Sequence, residues 1–256
     1  MRIVCVTHAY PRFDGDVAGA FVERLVLALA RRGHTMAVVA PADQGRGGRE
    51  LRHGVIVERV RYAPASWETL AYRGTMAEAV RSPLGVAAFA SLVLRLARRA
   101  AVLAQAMSAD LVHAHWWVPG GLGAWLLRRL GGPPYAVTLH GTDVAVLEYS
   151  GPGRTLARRV LRGAGAVTAV SSFLADRAAH LAGVDRHRIT VCPMPADTGR
   201  LGQAGRGGWG GRGGGGIMTL GRLTTQKRLD VLLGAVVRLR RAGRSRPLTV
   251  LGDGPA

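Results

Sequence analysis

Tyr135-Ala-Val-Thr-Leu-His-Gly-Thr-Asp143 is a short run of strand formers that stops abruptly in four polar or flexible residues. Tyr135, Val137 and Leu139 follow the Gly131-Gly132-Pro133-Pro134 break, so the segment reads as a buried strand that carries His140, Gly141, Thr142 and Asp143 at its carboxyl end. In an open parallel sheet, ligands sit in the crevice outside the carboxyl ends of the strands, and His140, Gly141 and Asp143 placed there suit recognition of a polar ligand. The same residues also satisfy a plain turn, because Gly141 permits positive φ and Thr142 or Asp143 caps the segment after it.

Working outward, the pattern of strand and helix repeats on both sides of this stretch. Arg2–Thr7 is an almost unbroken apolar run, as expected of a central parallel strand, and HAYPRFDGDVAG forms a long loop after it. Phe21, Val22, Leu25, Val26 and Leu29 recur at helical spacing up to the stop at Gly33, and Thr35–Ala40 is the next strand. This is a βαβ unit, but no Gly-x-Gly-x-x-Gly separates its strand from its helix, so it lacks the dinucleotide fingerprint. A Gly- and Arg-rich loop at 43–49, a strand over 54–60, helix over 65–107 with a break at Ser82-Pro83, a strand over 110–115 and a helix from Pro119 to Leu130 complete the first half. Beyond the focal strand come a helix over 155–162, a strand over 166–170, a helix from Ser171 or Ser172 to Leu181, and a strand over 188–192. The alternation predicts a doubly wound α/β domain over residues 1–200.

Composition bounds the function classes. The chain of 256 residues is 48% hydrophobic, enough for a substantial core, and carries a net charge of +19. Such charge fits a nucleic-acid or anionic-lipid partner, yet its arginines fall in pairs such as Arg31-Arg32 and Arg128-Arg129 near helix C-termini, where cations favour the dipole. Lys227 is the only lysine among 35 basic residues, which marks a position where a compact ammonium serves better than a planar fork. Cys5 and Cys192 match no metal or redox spacing and read as buried free thiols of a reducing compartment. The N-terminus lacks a signal-peptide pattern, and Arg95, Arg98 and Arg99 interrupt the most apolar helix, so a cytoplasmic protein with at most peripheral contact to the inner face of a membrane is expected. His113 and His115 share one strand face at a spacing compatible with a metal, but no third ligand is apparent and no metal is expected.

Residues 201–216 are low-complexity, with Arg206, Trp209 and Arg212 among glycines, and read as a flexible linker. The βα pattern then restarts over 217–256, where 40 residues are too few for an independent α/β domain; an incomplete second domain is expected. Arg222 just after its first strand, Lys227 in the first turn of a helix capped by Thr224 or Thr225, and the free N–H groups there would together bind a diphosphate.

With these residues in view, LGRLTTQKRLDVLL at 220–233, LGDGP at 251–255, THAYPR at 7–12, RRGH at 31–34, HAHWWVPGG at 113–121 and TLHGTDV at 138–144 resemble the GT-B glycosyltransferases of retaining family 4. The resemblance implies two Rossmann-like domains, a nucleotide-sugar donor held mainly by the second, an acceptor of lipid-linked or small-molecule type held mainly by the first, no cofactor and no metal. It makes His140 the catalytic-centre residue that reaches the donor sugar and Arg222 and Lys227 the cations on the donor diphosphate. Gly15, Asp16 and Gly19 fall in the donor/acceptor loop, without the family's Gly-Gly pair, and His115 and Asp143 fall in the cleft. The family's paired second-domain glutamates are absent from these residues. The competing reading is a non-catalytic basic protein that binds nucleic acid through its scaffold and its Gly/Arg segment.

Overall fold

The computed structural model describes residues 1–74, 76–196, 216–221, 223–224 and 227–254. The chain divides into two compact units, Met1–Ala196 and Asp197–Ala256.

The first unit is built on an eight-stranded sheet: β1 (Arg2–Val6), β2 (Thr35–Pro41), β3 (Gly48–Arg52), β4 (Val55–Val60), β5 (Leu111–His115), β6 (Tyr135–Leu139), β7 (Ala166–Ala169) and β8 (Ile189–Val191). Their order across the sheet is β3-β4-β2-β1-β5-β6-β7-β8, and every pairing is parallel except that of β3 with β4. Period-2 alternation divides the strands between two cores. Val4 and Val6 of β1 pack with Leu92, Leu96 and Leu103 of helix α3 (Pro83–Met107), whereas Ile3 and Cys5 face Val22 and Val26 of α1 (Ala20–Arg31). Helices on both faces bury the sheet, which is the doubly wound α/β architecture that the alternation predicts.

Three expectations need correcting. The expected loop over 43–49 ends early, because Gly48–Arg52 is a strand: His53 and Gly54 take φ of 50 and 79, the left-handed pair that a tight hairpin requires, so β3 folds back on β4 with Arg49 opposite Glu58. The described residues between 65 and 82 are mostly irregular, with a 3₁₀ turn at Ala65–Trp67 and a four-residue helix α2 (Met76–Ala79). The buried carboxylate of Glu68 pins this segment by accepting from the Gly45 N–H at 2.7 Å and the Arg61 guanidinium at 2.6 Å. Continuous helix begins only at Pro83, where the Ser82 hydroxyl accepts from the Gly85 N–H. Finally, Cys192 is exposed just past the edge strand β8, while Cys5 is buried and its thiol is pushed up to about 12 by burial.

The remaining helices of this unit are α4 (Leu122–Arg129), α5 (Thr142–Ala145), α6 (Gly151–Gly163) and α7 (Ser172–Ala182). Among the described residues no helix is long and apolar enough to cross a membrane.

In the second unit β9 (Ile217–Leu220) pairs in parallel with β10 (Leu248–Leu251) through α8 (Leu229–Arg241). Gly252 and Gly254 allow its two strand-end loops to touch: a Cβ at either would lie within 2.0 Å of the Gly221 or Leu223 carbonyl oxygen. Of the segment 201–216, all but Gly216 lies outside the described residues.

Candidate active site

Strand order locates the crevice that sequence alone could not. The chain runs from β1 through β2 to the edge strand β3, folds back into β4 between them, then crosses to β5 and proceeds to the other edge, so the topological switch point lies between β1 and β5. His8 follows β1, His115 ends β5 and His140 follows β6, the neighbour of β5. Three elements thus deliver their histidines to the carboxyl ends of adjacent strands.

The rings form one cluster. His140 lies 5.1 Å from His115, 4.4 Å from Trp116 and 5.1 Å from Phe21, centroid to centroid. His8 packs edge-on to Trp116 at 4.0 Å, and His113 stands 4.5 Å from His115. His115 Nδ1 and His140 Nε2 share a hydrogen bond of 2.9 Å, while His113 Nε2 meets the Thr138 hydroxyl at 2.8 Å, which in turn meets Thr168. Burial lowers all four rings: His8 and His113 fall to about 4 and His140 to about 3, and His115 drops well below the usual value, burial being reinforced by its histidine neighbours. At neutral pH the cluster is uncharged. Among the described residues no group of three His, Cys, Asp or Glu side chains has the spacing to hold a metal ion.

Asp143, expected in the cleft, anchors the backbone from a buried position. It is only 3% exposed; one carboxylate oxygen accepts from the His140 and Gly141 N–H groups at 3.1 and 2.9 Å, and the other accepts from the Trp117 N–H at 3.1 Å. The Trp117 indole returns the contact by donating to the Asp143 carbonyl at 2.6 Å. Burial pushes the Asp143 carboxyl up, and the backbone donors offset part of that shift. Its side chain does not cap α5; Gly141 occupies the N-cap position. The same joint orients Trp116, which adopts φ 62 and donates from its indole to the Thr142 hydroxyl at 3.2 Å.

The loop between β1 and α1 closes the site on its other side. Gly19 (φ 75) is the N-cap of α1, and a Cβ there would lie 2.2 Å from the Ala9 carbonyl oxygen, so the loop can pass this point only as glycine. Gly15 (φ 87) faces open space. Asp16 is folded inward: it accepts from the Arg12 guanidinium at 2.6 Å and from the Arg12 and Ala18 N–H groups. Burial alone would raise the Asp16 carboxyl, but Arg12 and these backbone donors outweigh it and hold it below its ordinary range. Arg12 also reaches Asp43 at 2.6 Å. Beside the loop lies a concavity of about 450 Å³ whose charged lining is Arg12, Asp43, Arg46, Arg49, Glu50 and Arg59.

In the second unit Arg222 lies outside the described residues. Lys227 is exposed, and its N–H closes a turn on the Thr224 carbonyl at 2.9 Å. That turn moves the helix start, because Arg228, left-handed at φ 49, is the N-cap and α8 begins at Leu229. Lys227 therefore precedes the helix instead of sitting in its first turn.

Sequence reasoning missed His8 and Phe21, which complete the walls around His140. The paired β1 and β5 ends bring His8 to Trp116, a juxtaposition that depends on strand order and leaves no local signal.

Residues 18–200 match the family described as Glycosyltransferase Family 4. The chain belongs to Glycosyltransferase Family 4. TuaC of Bacillus subtilis (strain 168), whose name assigns it to teichuronic acid biosynthesis as a glycosyltransferase, is 26% identical over 280 residues, spanning 100% of this chain and 66% of its own length. The D-inositol 3-phosphate glycosyltransferase of Actinosynnema mirum is 28% identical over 262 residues, covering 94% of this chain and 60% of the relative. Among solved structures, an alpha,alpha-trehalose-phosphate synthase (UDP-forming) from Burkholderia vietnamiensis superimposes with a TM-score of 0.65 at 15% identity, over 99% of this chain and 64% of the other, which shows a shared fold. The chain thus spans 60–66% of the length of these two curated relatives. Family 4 membership gives the nucleic-acid reading no support.

Proposed function

We propose that this protein serves sugar transfer from a nucleotide-sugar donor to an acceptor, with retention of anomeric configuration. The observation that carries the reading is the placement of His140 beside the topological switch point, at the end of the next strand β6, walled by Phe21, Trp116 and His115. Depressed to about 3 by burial, this ring is neutral at pH 7 and suited to hydrogen bonding a sugar rather than to carrying charge. Lys227 and Arg222 would neutralise the growing charge on the diphosphate leaving group. The family relatives and the UDP-forming structural neighbour support the nucleotide-sugar donor.

For the acceptor, the concavity beside the β1–α1 loop carries Arg46, which makes no ion pair among the described residues, while Arg12, Arg49 and Arg59 are engaged by Asp16, Glu58 and Glu50; the uncompensated guanidinium favours a small molecule bearing a phosphate or carboxylate. Exposed Leu84, Val86 and Leu94 on α3 support contact with a membrane surface, as for a cytoplasmic protein acting at its inner face.

The test is turnover of the purified protein with UDP-, ADP- and GDP-sugars, read as nucleoside diphosphate released in an acceptor-dependent manner. His140→Ala should lower kcat about tenfold or more with a smaller change in donor KM, because its contact is with the reacting sugar. Transfer that is unaffected by His140→Ala would remove the histidine from the mechanism, and binding of RNA or DNA that collapses steeply with salt would favour the competing class.

A further inference from the structure

Two buried ring nitrogens of the cluster have no partner, His8 Nδ1 and His115 Nε2, and the second decides where the protons of the His115–His140 pair are. His115 is fully buried, and its Nε2 has no hydrogen-bond partner, whereas its Nδ1 lies 2.9 Å from His140 Nε2. A neutral imidazole has one N–H and one bare nitrogen, so a single proton occupies the bond between the two rings. If His140 Nε2 donated, His115 would carry its own proton on Nε2, leaving a buried N–H with nothing to accept it. Orphaned buried N–H groups are rare because they forfeit a strong donor. If His115 Nδ1 donates, the atom left over is a bare ring nitrogen, the cheaper of the two to bury.

We propose that His115 donates from Nδ1 and thereby fixes His140 as the Nδ1–H tautomer, so that His140 offers the crevice one N–H donor and no free basic nitrogen. An unconstrained histidine side chain favours the opposite, Nε2–H form, so the tautomer is imposed by the partner and not intrinsic. His140 Nδ1 makes no hydrogen bond among the described residues, and it is not among the buried unpartnered atoms. The donor is therefore available to a ligand. It recognises an acceptor oxygen, such as a sugar hydroxyl lone pair or a phosphate oxygen, and it cannot take up a proton from an attacking hydroxyl while the bond to His115 holds. His115 is a positioning residue in this scheme: it touches no ligand and acts through His140. Burial, reinforced by His113, His140 and His8, disfavours a second proton on His115, which keeps the ring neutral as the assignment requires. Only the identity of the ligand oxygen rests on the sugar-transfer reading; the tautomer does not.

Two-bond ¹H–¹⁵N correlation spectra of protein labelled at histidine nitrogen test this without any ligand, with the His140 signals assigned by their loss in His140→Gln. In the wild type, His140 and His115 should both be protonated on Nδ1. His115→Leu removes the donor, and His140 should shift to a population dominated by Nε2–H; His115→Asn, whose amide N–H stands close to where Nδ1–H stood, should restore the Nδ1–H form. A wild-type His140 protonated on Nε2 overturns the proposal whether or not the Leu variant folds, as does a His115→Leu variant that folds and retains the Nδ1–H tautomer. In turnover, His115→Leu should lose about tenfold in kcat and His115→Asn should recover most of it. An Nδ1–H tautomer in a protein that transfers no sugar would uphold this inference and count against the proposed function.

Discussion

The two units solve the same βα problem under different solvation. In the first, helices cover both faces of the sheet, and Val4, Val6, Leu96, Val137 and Leu139 are buried. In the second, no residue of α8 is buried, and Met218, Leu220, Val231, Leu233 and Val237 are exposed. The difference governs what chemistry each can hold. Desolvation in the first unit turns four histidines into neutral hydrogen-bonding groups, whereas Lys227 in the second is exposed.

This contrast breaks most decisively at the core. Leu96→Ala should cost ~2–5 kcal/mol, because a fully buried leucine leaves a cavity between α3 and the sheet. Leu233→Ala, 47% exposed on α8, should cost under ~1 kcal/mol. Hydrogen exchange resolved by peptide reads both at once: amides of β1, β5 and β6 should open in the first variant and stay protected in the second. Equal costs would show that the units are not energetically distinct.

Acid should single out the first unit. The folded cluster stays neutral while unfolded histidines take up protons below about 6.5, so stability is complete above that pH and is lost as pH falls from 6.5; the contributions of His8 and His113 level off near 4, and that of His140 only near 3. One ring lowered from 6.5 to about 4 accounts for about 3 kcal/mol of that change by linkage, so the coupled cluster should shift urea midpoints strongly between pH 7.5 and 5. His113→Gln should flatten the dependence. A midpoint indifferent to pH across this window would mean that the rings are hydrated.

The smallest effect is expected at Lys227. Lys227→Ala should leave the unfolding midpoint unchanged and weaken nucleoside-diphosphate binding by about ten- to a hundredfold, the worth of one charge-assisted hydrogen bond. Calorimetric titration alongside Arg98→Ala provides the control, and an equal loss from Arg98→Ala would assign the effect to net charge.

Much of this was legible from residue pattern. Continuous apolar runs marked β1, β2, β5 and β6, and a polar strand end marked His140, because burial on both sheet faces writes itself into local sequence. What escaped depends on distant partners. β3 is GRELR, polar on both faces, and exists because Arg49 pairs with Glu58 and Glu50 with Arg59 across the hairpin at 2.6 and 2.7 Å. Asp143 resembled a ligand residue in sequence and became an anchor only once β5 and β6 lay side by side. His8 joined the cluster through strand order alone.

The clasp at Asp143 also bears on what lengths these loops can take. One carboxylate holds the backbone of Trp117 with one oxygen and of His140 and Gly141 with the other, so the turns leaving β5 and β6 are geared together. A residue inserted in either turn would strip donors from a buried anion and misalign the tryptophan wall with the histidine it frames. Loop length here is therefore shared property: the two turns can drift in sequence separately, but they can be resized only as a pair.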